Sequence, residues 1–372
     1  MKFKIKKDLF LKELLKVASG ISNKTLVPAL TGIKIEIKPD ELILIASDSD
    51  ITIKNIIKTS KDLIIEKEGV MIASGKYFLE IIKKLPNDFI NIEQIEGLKT
   101  LISTNSAEFT LNSIPPEDYP DFSFKHSDSP LKIFSTDLKK LIHQTSFSIS
   151  TEEVRPLLTG INFNIIDNNL TLTATDSYRL SKNSFKLTDK INNLNITVPG
   201  DNLISLIKIL EEDKKELEIH IFNNNILFTF ENISFSSRIL NGTYPDIQAL
   251  IPSDFKMEIP CEKRDLYDVL SRVSLLIDDR NKNIVTLEKS DKQLILSSKS
   301  PEIGKAVEEL TIEDDIKDNI KISFSAKYMM EALNGISSTK IILCFNSASE
   351  PIVIKNIKEP ELIQLILPIK TY

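Results

Sequence analysis

One phrase occurs three times along this chain at long intervals. Leu42-Ile43-Leu44-Ile45-Ala46-Ser47-Asp48 comes back as Leu170-Thr171-Leu172-Thr173-Ala174-Thr175-Asp176, and more faintly as Leu294-Ile295-Leu296-Ser297-Ser298. Ala46 and Ala174 stand 128 positions apart (174 − 46), and Ala174 and Ser298 stand 124 apart (298 − 174). Solenoid repeats are far shorter, so a period of this length means tandem domains, each large enough to bury its own core. The repeat divides the 372 residues into three domains, 1–127, 128–253 and 254–372. The polar stretch Lys125 to Pro130 and the segment Ile251 to Pro260 mark the expected boundaries.

Within each third the order is strand, helix, strands, helix, strands, an α+β arrangement. Apolar spacing predicts helices over Asp8 to Ala18 and Gly75 to Leu85, the second stopped by Pro86. In the middle third a helix opens at the capping pair Thr136-Asp137, and another runs Asp201 to Leu210. In the last third they run Lys263 to Leu276 and Ala326 to Leu333. Each of the first two thirds closes on a Phe-led strand, a polar turn and the same triplet, Tyr119-Pro120-Asp121 and Tyr244-Pro245-Asp246.

The composition excludes several classes. Hydrophobic residues make up 41% and charged residues 27%, and no run approaches the roughly 20 apolar residues of a membrane span. The N-terminus starts directly with alternation and lacks the apolar core of a signal peptide, which makes the cytoplasm the expected compartment. Cys261 and Cys344 are too few for a disulfide framework. His126, His143 and His220 are scattered and neither cysteine has a partner at ligand spacing, so no metal and no cofactor is expected. Asp48 with Asp50 and Asp278 with Asp279 read as solvated loop carboxylates before they read as ion ligands. There is no nucleophile elbow, no phosphate loop and no dinucleotide fingerprint. The net charge of −6 argues against a protein that grips nucleic acid over its whole surface and leaves room for one basic face.

Several features together resemble one family. These are the repeat order, the opening Met1-Lys2-Phe3, the segment Lys24-Thr25-Leu26-Val27-Pro28-Ala29-Leu30, the phrase Ala174-Thr175-Asp176-Ser177-Tyr178-Arg179-Leu180, and Leu367-Pro368-Ile369 near the end. From the first residue to the last, the chain is similar to the bacterial DNA polymerase III beta subunits, the replicative sliding clamps. The resemblance implies three tandem copies of the DNA clamp fold, with helices lining a central hole and sheets outside. It implies a head-to-tail homodimer that closes a six-domain ring on duplex DNA and has no catalytic residues. The implied partners are the DNA polymerase III catalytic subunit, the clamp loader and other clamp-binding replication and repair proteins.

A sleeve that slides needs diffuse positive potential and no contacts to base edges. The implied DNA-facing groups are Lys12, Lys16, Lys76, Lys83, Lys139, Lys140, Lys208, Arg264, Arg272 and Lys327 on the helices, with Lys24 in a loop. Read without the resemblance, each helix residue among them is an ordinary solvated lysine or arginine, and Lys24 an exposed loop lysine. The family's peptide-binding cleft maps onto Leu158, Thr175, Ser177, Tyr178, Arg179, Leu180, Pro245, Leu250, Leu365, Leu367, Pro368 and Ile369. The leucines among them could equally be domain core. Ser177, Tyr178, Leu367 and Ile369 depart from the glycine, histidine and sulfur-bearing residues found in some members, which changes the expected peptide preference. The implied ring seam sets Phe109 and Leu111 against Leu275 and Leu276 of the other subunit. Two alternatives stay open from the residues: an enzyme with a site near Asp176 and Arg179, and a monomeric protein-binding scaffold.

Overall fold

The computed structural model describes residues 1–22, 25–189, 191–277, 283–312 and 318–370. It divides into two compact units, Met1–Thr136 with Ser205–Ile239, and Asp137–Ile204 with Leu240–Tyr372. Six helices are named here: α1 (Lys7–Val17), α2 (Gly75–Lys84), α3 (Ser135–Ser146), α4 (Gly200–Ile209), α5 (Lys263–Val273) and α6 (Ala326–Asn334). Among the described residues all strand pairings are antiparallel, as short hairpin-linked strands favour.

The first unit is built on a 13-stranded sheet. Strands of the first third and the middle third meet where Ile233–Arg238 pairs with Ile51–Lys58. On α1, Phe10, Leu14 and Val17 face inward at helical spacing. Phe10 meets Phe3 and Phe78 edge-on, each at 5.9 Å between ring centroids, and this joins α1 to α2. Helical spacing alone does not decide burial on α1, where Leu15 is exposed while Lys16 is buried.

The second unit holds an eight-stranded and a four-stranded sheet. In the eight-stranded sheet, Arg179–Lys186 of the middle third pairs with Ile363–Ile366 of the last, in the register Leu180 to Leu365. Leu266, Leu270, Met329 and Leu333 of α5 and α6 enter one core with the strands around them. Beside it lies a smaller cluster of Leu180, Ile247, Cys344, Val353 and Leu365.

Two helix ends differ from their sequence signals. α3 begins at Ser135, one residue before the expected cap, and Thr136 does not cap it. Ser135 Oγ donates instead to the Asp213 carbonyl at 2.7 Å and accepts the Lys215 amide at 3.3 Å, so the strand runs straight into the helix. α5 ends at Val273 and tightens into a 3-10 turn over Ser274–Leu276.

Candidate functional site

The repeated phrase folds into the same device in both of its strong copies. In the middle third, strand Asn169–Thr175 turns through Asp176-Ser177-Tyr178 into strand Arg179–Lys186. Asp176 Oδ1 accepts the amides of Tyr178 and Arg179, each at 2.9 Å, and Thr175 Oγ1 donates to the Arg179 carbonyl at 2.6 Å. Ser177 sits at φ 77, in the left-handed region. In the first third, Asp48 Oδ1 accepts the amides of Asp50 and Ile51 at 2.9 and 2.8 Å. Ser47 Oγ donates to the Ile51 carbonyl at 2.8 Å, and Ser49 sits at φ 82. The aspartate in the phrase is therefore a turn former.

The Tyr-Pro-Asp triplets fold back onto these turns. Tyr244 is buried and its hydroxyl accepts the Thr175 amide at 3.1 Å. Tyr119, also buried, donates to the Ile45 carbonyl at 3.2 Å and meets the Ser47 backbone. Burial raises both phenols above the ordinary tyrosine range.

Around the second turn opens a cleft of about 530 Å³. Of the expected residues, Leu158, Thr175, Ser177, Arg179, Leu180, Pro245, Leu250, Leu365 and Leu367 line it. Tyr178, Pro368 and Ile369 do not. Tyr178 is 58% exposed and its carbonyl accepts the Leu367 amide at 2.9 Å. The Ile369 amide is drawn off to the Ser323 carbonyl at 2.7 Å. Arg179 lines the cleft but is no free anchor. Its Nε donates to Asp176 Oδ2 at 3.0 Å, its NH1 pairs with Glu331, and its guanidinium lies 4.2 Å over the Tyr328 ring. Both groups of the Asp176–Arg179 pair are thus engaged in holding the turn.

Arg155, Pro156, Leu157, Asn241, Thr243, Ile247 and Pro351 complete the lining. Pro156 and Leu157 carried a readable signal. Pro28-Ala29-Leu30-Thr31-Gly32 returns as Pro156-Leu157-Leu158-Thr159-Gly160, at the same interval as the main phrase, and both copies fold as a 3-10 turn before a strand. Leu157 rests on Gly242, where φ is +129 and a Cβ would stand 2.9 Å from Leu157 Cδ1. Arg155 NH1 donates to Ser177 Oγ at 3.2 Å across the cleft mouth.

The basic residues are less uniform than expected. Lys76, Lys208 and Lys327 are exposed, and so is Arg264, which pairs with Asp268 one turn on at 3.7 Å. Lys12 is exposed and paired with Glu211 at 3.0 Å, a hydrogen bond that raises its pKa. Lys83 pairs with Glu80, Lys140 with Glu359, and Arg272 with Glu308 through two nitrogens. Lys139 is half-buried. Lys16 is a correction: at 8% exposure it pairs with buried Glu13 at 3.1 Å, which Asn55 also holds at 2.8 Å. It closes a buried polar network and presents no surface charge. Lys24, Asp278 and Asp279 lie outside the described residues.

Two of the histidines scattered in sequence meet in space. The rings of His126 and His220 lie 4.6 Å apart, with Glu218 beside them. The His220 ring is committed to protein partners. Nδ1 accepts the Ser127 amide at 3.0 Å, which leaves Nε2 to carry the proton toward Thr229 Oγ1 at 3.2 Å. A second acidic group, Glu211, Asp213 and Glu231, is bridged by Lys12 and Lys215. Asp50 is held by Arg238 at 2.8 Å.

Comparison with known proteins covers the whole chain. Models of the DNA polymerase III beta subunit match in chain order: the N-terminal domain at residues 1–123, the central domain at 132–246 and the C-terminal domain at 248–370. The beta sliding clamps of Staphylococcus epidermidis and Staphylococcus aureus are each 38% identical over 376 residues, with 100% of both chains covered. The DNA polymerase sliding clamp from Bacillus subtilis has a similar structure, with a TM-score of 0.95, 37% identity and 100% of each chain covered. The beta subunit from DNA polymerase of Streptococcus pyogenes follows with 0.94 and 30%, again over 100% of each. Three domains of helices and antiparallel sheets, matched end to end in this order, place the chain in the DNA polymerase III beta-subunit family, the sliding clamps.

Proposed function

We propose that this clamp, which confers processivity on DNA polymerase III, does so as a head-to-tail ring of two subunits closed around duplex DNA. The full-length likeness to the Bacillus subtilis sliding clamp, with all three domains matched, carries the reading. The helices line the hole and the sheets form its outer wall. The ring does no chemistry. It keeps the polymerase beside the primer end by raising its effective concentration there. The clamp works in the cytoplasm, and among the described residues no helix is long and apolar enough to cross a membrane.

Two different surfaces support a head-to-tail seam. On the first unit, Phe109 is 40% exposed beside a shallow hollow of about 200 Å³ lined also by Tyr77, Ile81 and Leu85. On the second, Leu275 is 76% exposed on the turn after α5, next to half-buried Leu276. A knob and a hollow on separate surfaces suit a heterologous contact, which closes when the rotations complete a turn. Gly304–Thr311 is an edge of the four-stranded sheet, and Glu108–Ile114 meets its second neighbour only at Ile72 and Ala73. Both strands therefore leave backbone groups for pairing with another chain.

Contact with DNA falls to the exposed helix cations, with Lys76, Lys208, Arg264 and Lys327 foremost. The paired ones can exchange their carboxylates for phosphates, because exposed ion pairs contribute only about 0–1 kcal/mol each. Weak, exchangeable contacts let a ring slide. The cleft receives short apolar segments of the polymerase, the clamp loader and other clamp-binding proteins, with Leu158, Leu180, Leu365 and Leu367 as its apolar wall.

The test is topological. Protein loaded onto nicked circular duplex by an active clamp loader should survive a high-salt wash and fall off when the circle is linearised. Binding that is lost in salt and indifferent to linearisation would overturn the ring.

A further inference from the structure

In the first two repeats the buried tyrosine under the hairpin turn is followed two residues later by an aspartate, Asp121 after Tyr119 and Asp246 after Tyr244. In the first repeat the space beside that aspartate is filled from the adjoining strand Gly32–Lys38. Lys34 lies over the Tyr119 ring at 5.8 Å and brings Nζ to 3.9 Å from Asp121 Oδ1. The main repeat interval carries Lys34 to Asn162, on the matching strand Gly160–Ile166. The Asn162 amide is too short to take the place of a lysine and turns the other way. It donates to Asn195 Oδ1 at 2.7 Å and to the Ile196 carbonyl at 3.1 Å.

An open groove of about 490 Å³ results. Its floor is neutral, with Asn164, Thr171 and Thr173, and Tyr244 forms part of its wall. Two carboxylates, Asp246 and Glu361, line it against one cation, Lys182. The groove shares Pro245 and Ile247 with the apolar cleft, so one extended segment separates the two.

We infer that this groove receives a lysine or arginine from the same partner segment whose apolar residues fill the cleft, seated by Tyr244 and Asp246 as Lys34 is by Tyr119 and Asp121. The first repeat supplies in cis the cation that the second takes from its partner. A spacer of about two residues reaches roughly 7 Å past the last apolar residue. The inference rests on the cleft being the peptide site.

Its test uses fluorescein-labelled peptides cut from the cleft-binding segment of the polymerase catalytic subunit. Each is extended at either end by Ser-Ser-Lys, Ser-Ser-Ser or Ser-Ser-Glu, and binding is followed by fluorescence polarisation at low salt. At one of the two ends, the lysine peptide should bind about threefold tighter than the serine peptide, the range of an exposed ion pair, and the glutamate peptide more weakly. The advantage should shrink in high salt. Asp246→Asn, which keeps an oxygen for the Gln248 amide now held at 3.0 Å, should abolish the advantage and leave the serine peptide unchanged. Asn162→Lys should abolish it too, by filling the groove from within. Equal affinity for lysine and serine peptides at both ends, or an advantage that survives both substitutions, overturns the inference. If Leu250→Ser, in the exposed cleft wall, weakens no peptide, the cleft reading itself fails and takes the groove with it.

Discussion

His220 shows how much one side chain's hydrogen bonds decide. Its Nδ1 takes the Ser127 amide and its ring faces His126, so a second proton would set donor against donor and bring like charges together. Burial and the neighbouring His126 depress its pKa below the ordinary 6.5, while Glu218 opposes them. The unfolded chain therefore takes up this proton at a higher pH than the folded one. Stability is fully present above about pH 6.5 and falls as pH drops toward the depressed value. Urea midpoints across that range should decline for the native protein and flatten for His220→Gln; equal slopes would sink the assignment. The histidine pair was invisible in the sequence because 94 positions (220 − 126) separate partners that only strand pairing brings together. Lys16 was misread for a related reason. A lysine one turn from Lys12 looks solvated until Glu13 and Asn55 are found around it.

At the scale of the element, the unit is a hairpin turn held by an aspartate and clipped by a tyrosine. Tyr244→Phe leaves the buried Thr175 amide without its acceptor, at a cost of about 1–2 kcal/mol. Tyr119→Phe removes the matching hydroxyl in the first unit at a similar cost. Both variants should show lower urea midpoints. Only Tyr244→Phe should weaken binding of a polymerase-derived peptide, because Thr175 and Pro245 both line the cleft. Equal effects on peptide affinity would show that the clip does not shape the site. The repeated phrase and the Tyr-Pro-Asp echo were both legible in the sequence, as were the cleft's leucines other than Leu157 through the family resemblance. Their joint role was not, because 69 positions (244 − 175) lie between the tyrosine and the amide it meets. Asn241, Thr243 and Pro351 enter the cleft through loop packing alone, which leaves no periodic trace in the chain.

For the whole molecule, the proposed ring makes a quantitative claim about its seams. A head-to-tail dimer has two identical contacts, and separating the subunits breaks both, whereas letting DNA out breaks only one. An exposed apolar anchor at the centre of an interface typically costs about 2 kcal/mol or more when removed. Leu275→Asp or Phe109→Asp should leave each monomer folded, since both side chains already meet solvent in the single chain. Each should speed release from closed circular DNA by about 30-fold, at 1.4 kcal/mol per factor of ten. The dimer dissociation constant should rise by about the square of that, roughly 1,000-fold, because both seams carry the change. Analytical ultracentrifugation gives the second quantity and dissociation of loaded protein from nicked circles gives the first. A squared relation between them is the signature of two equivalent seams. A linear one would mean that opening and dissociation are the same event, and would replace the ring with a dimer held by a single contact.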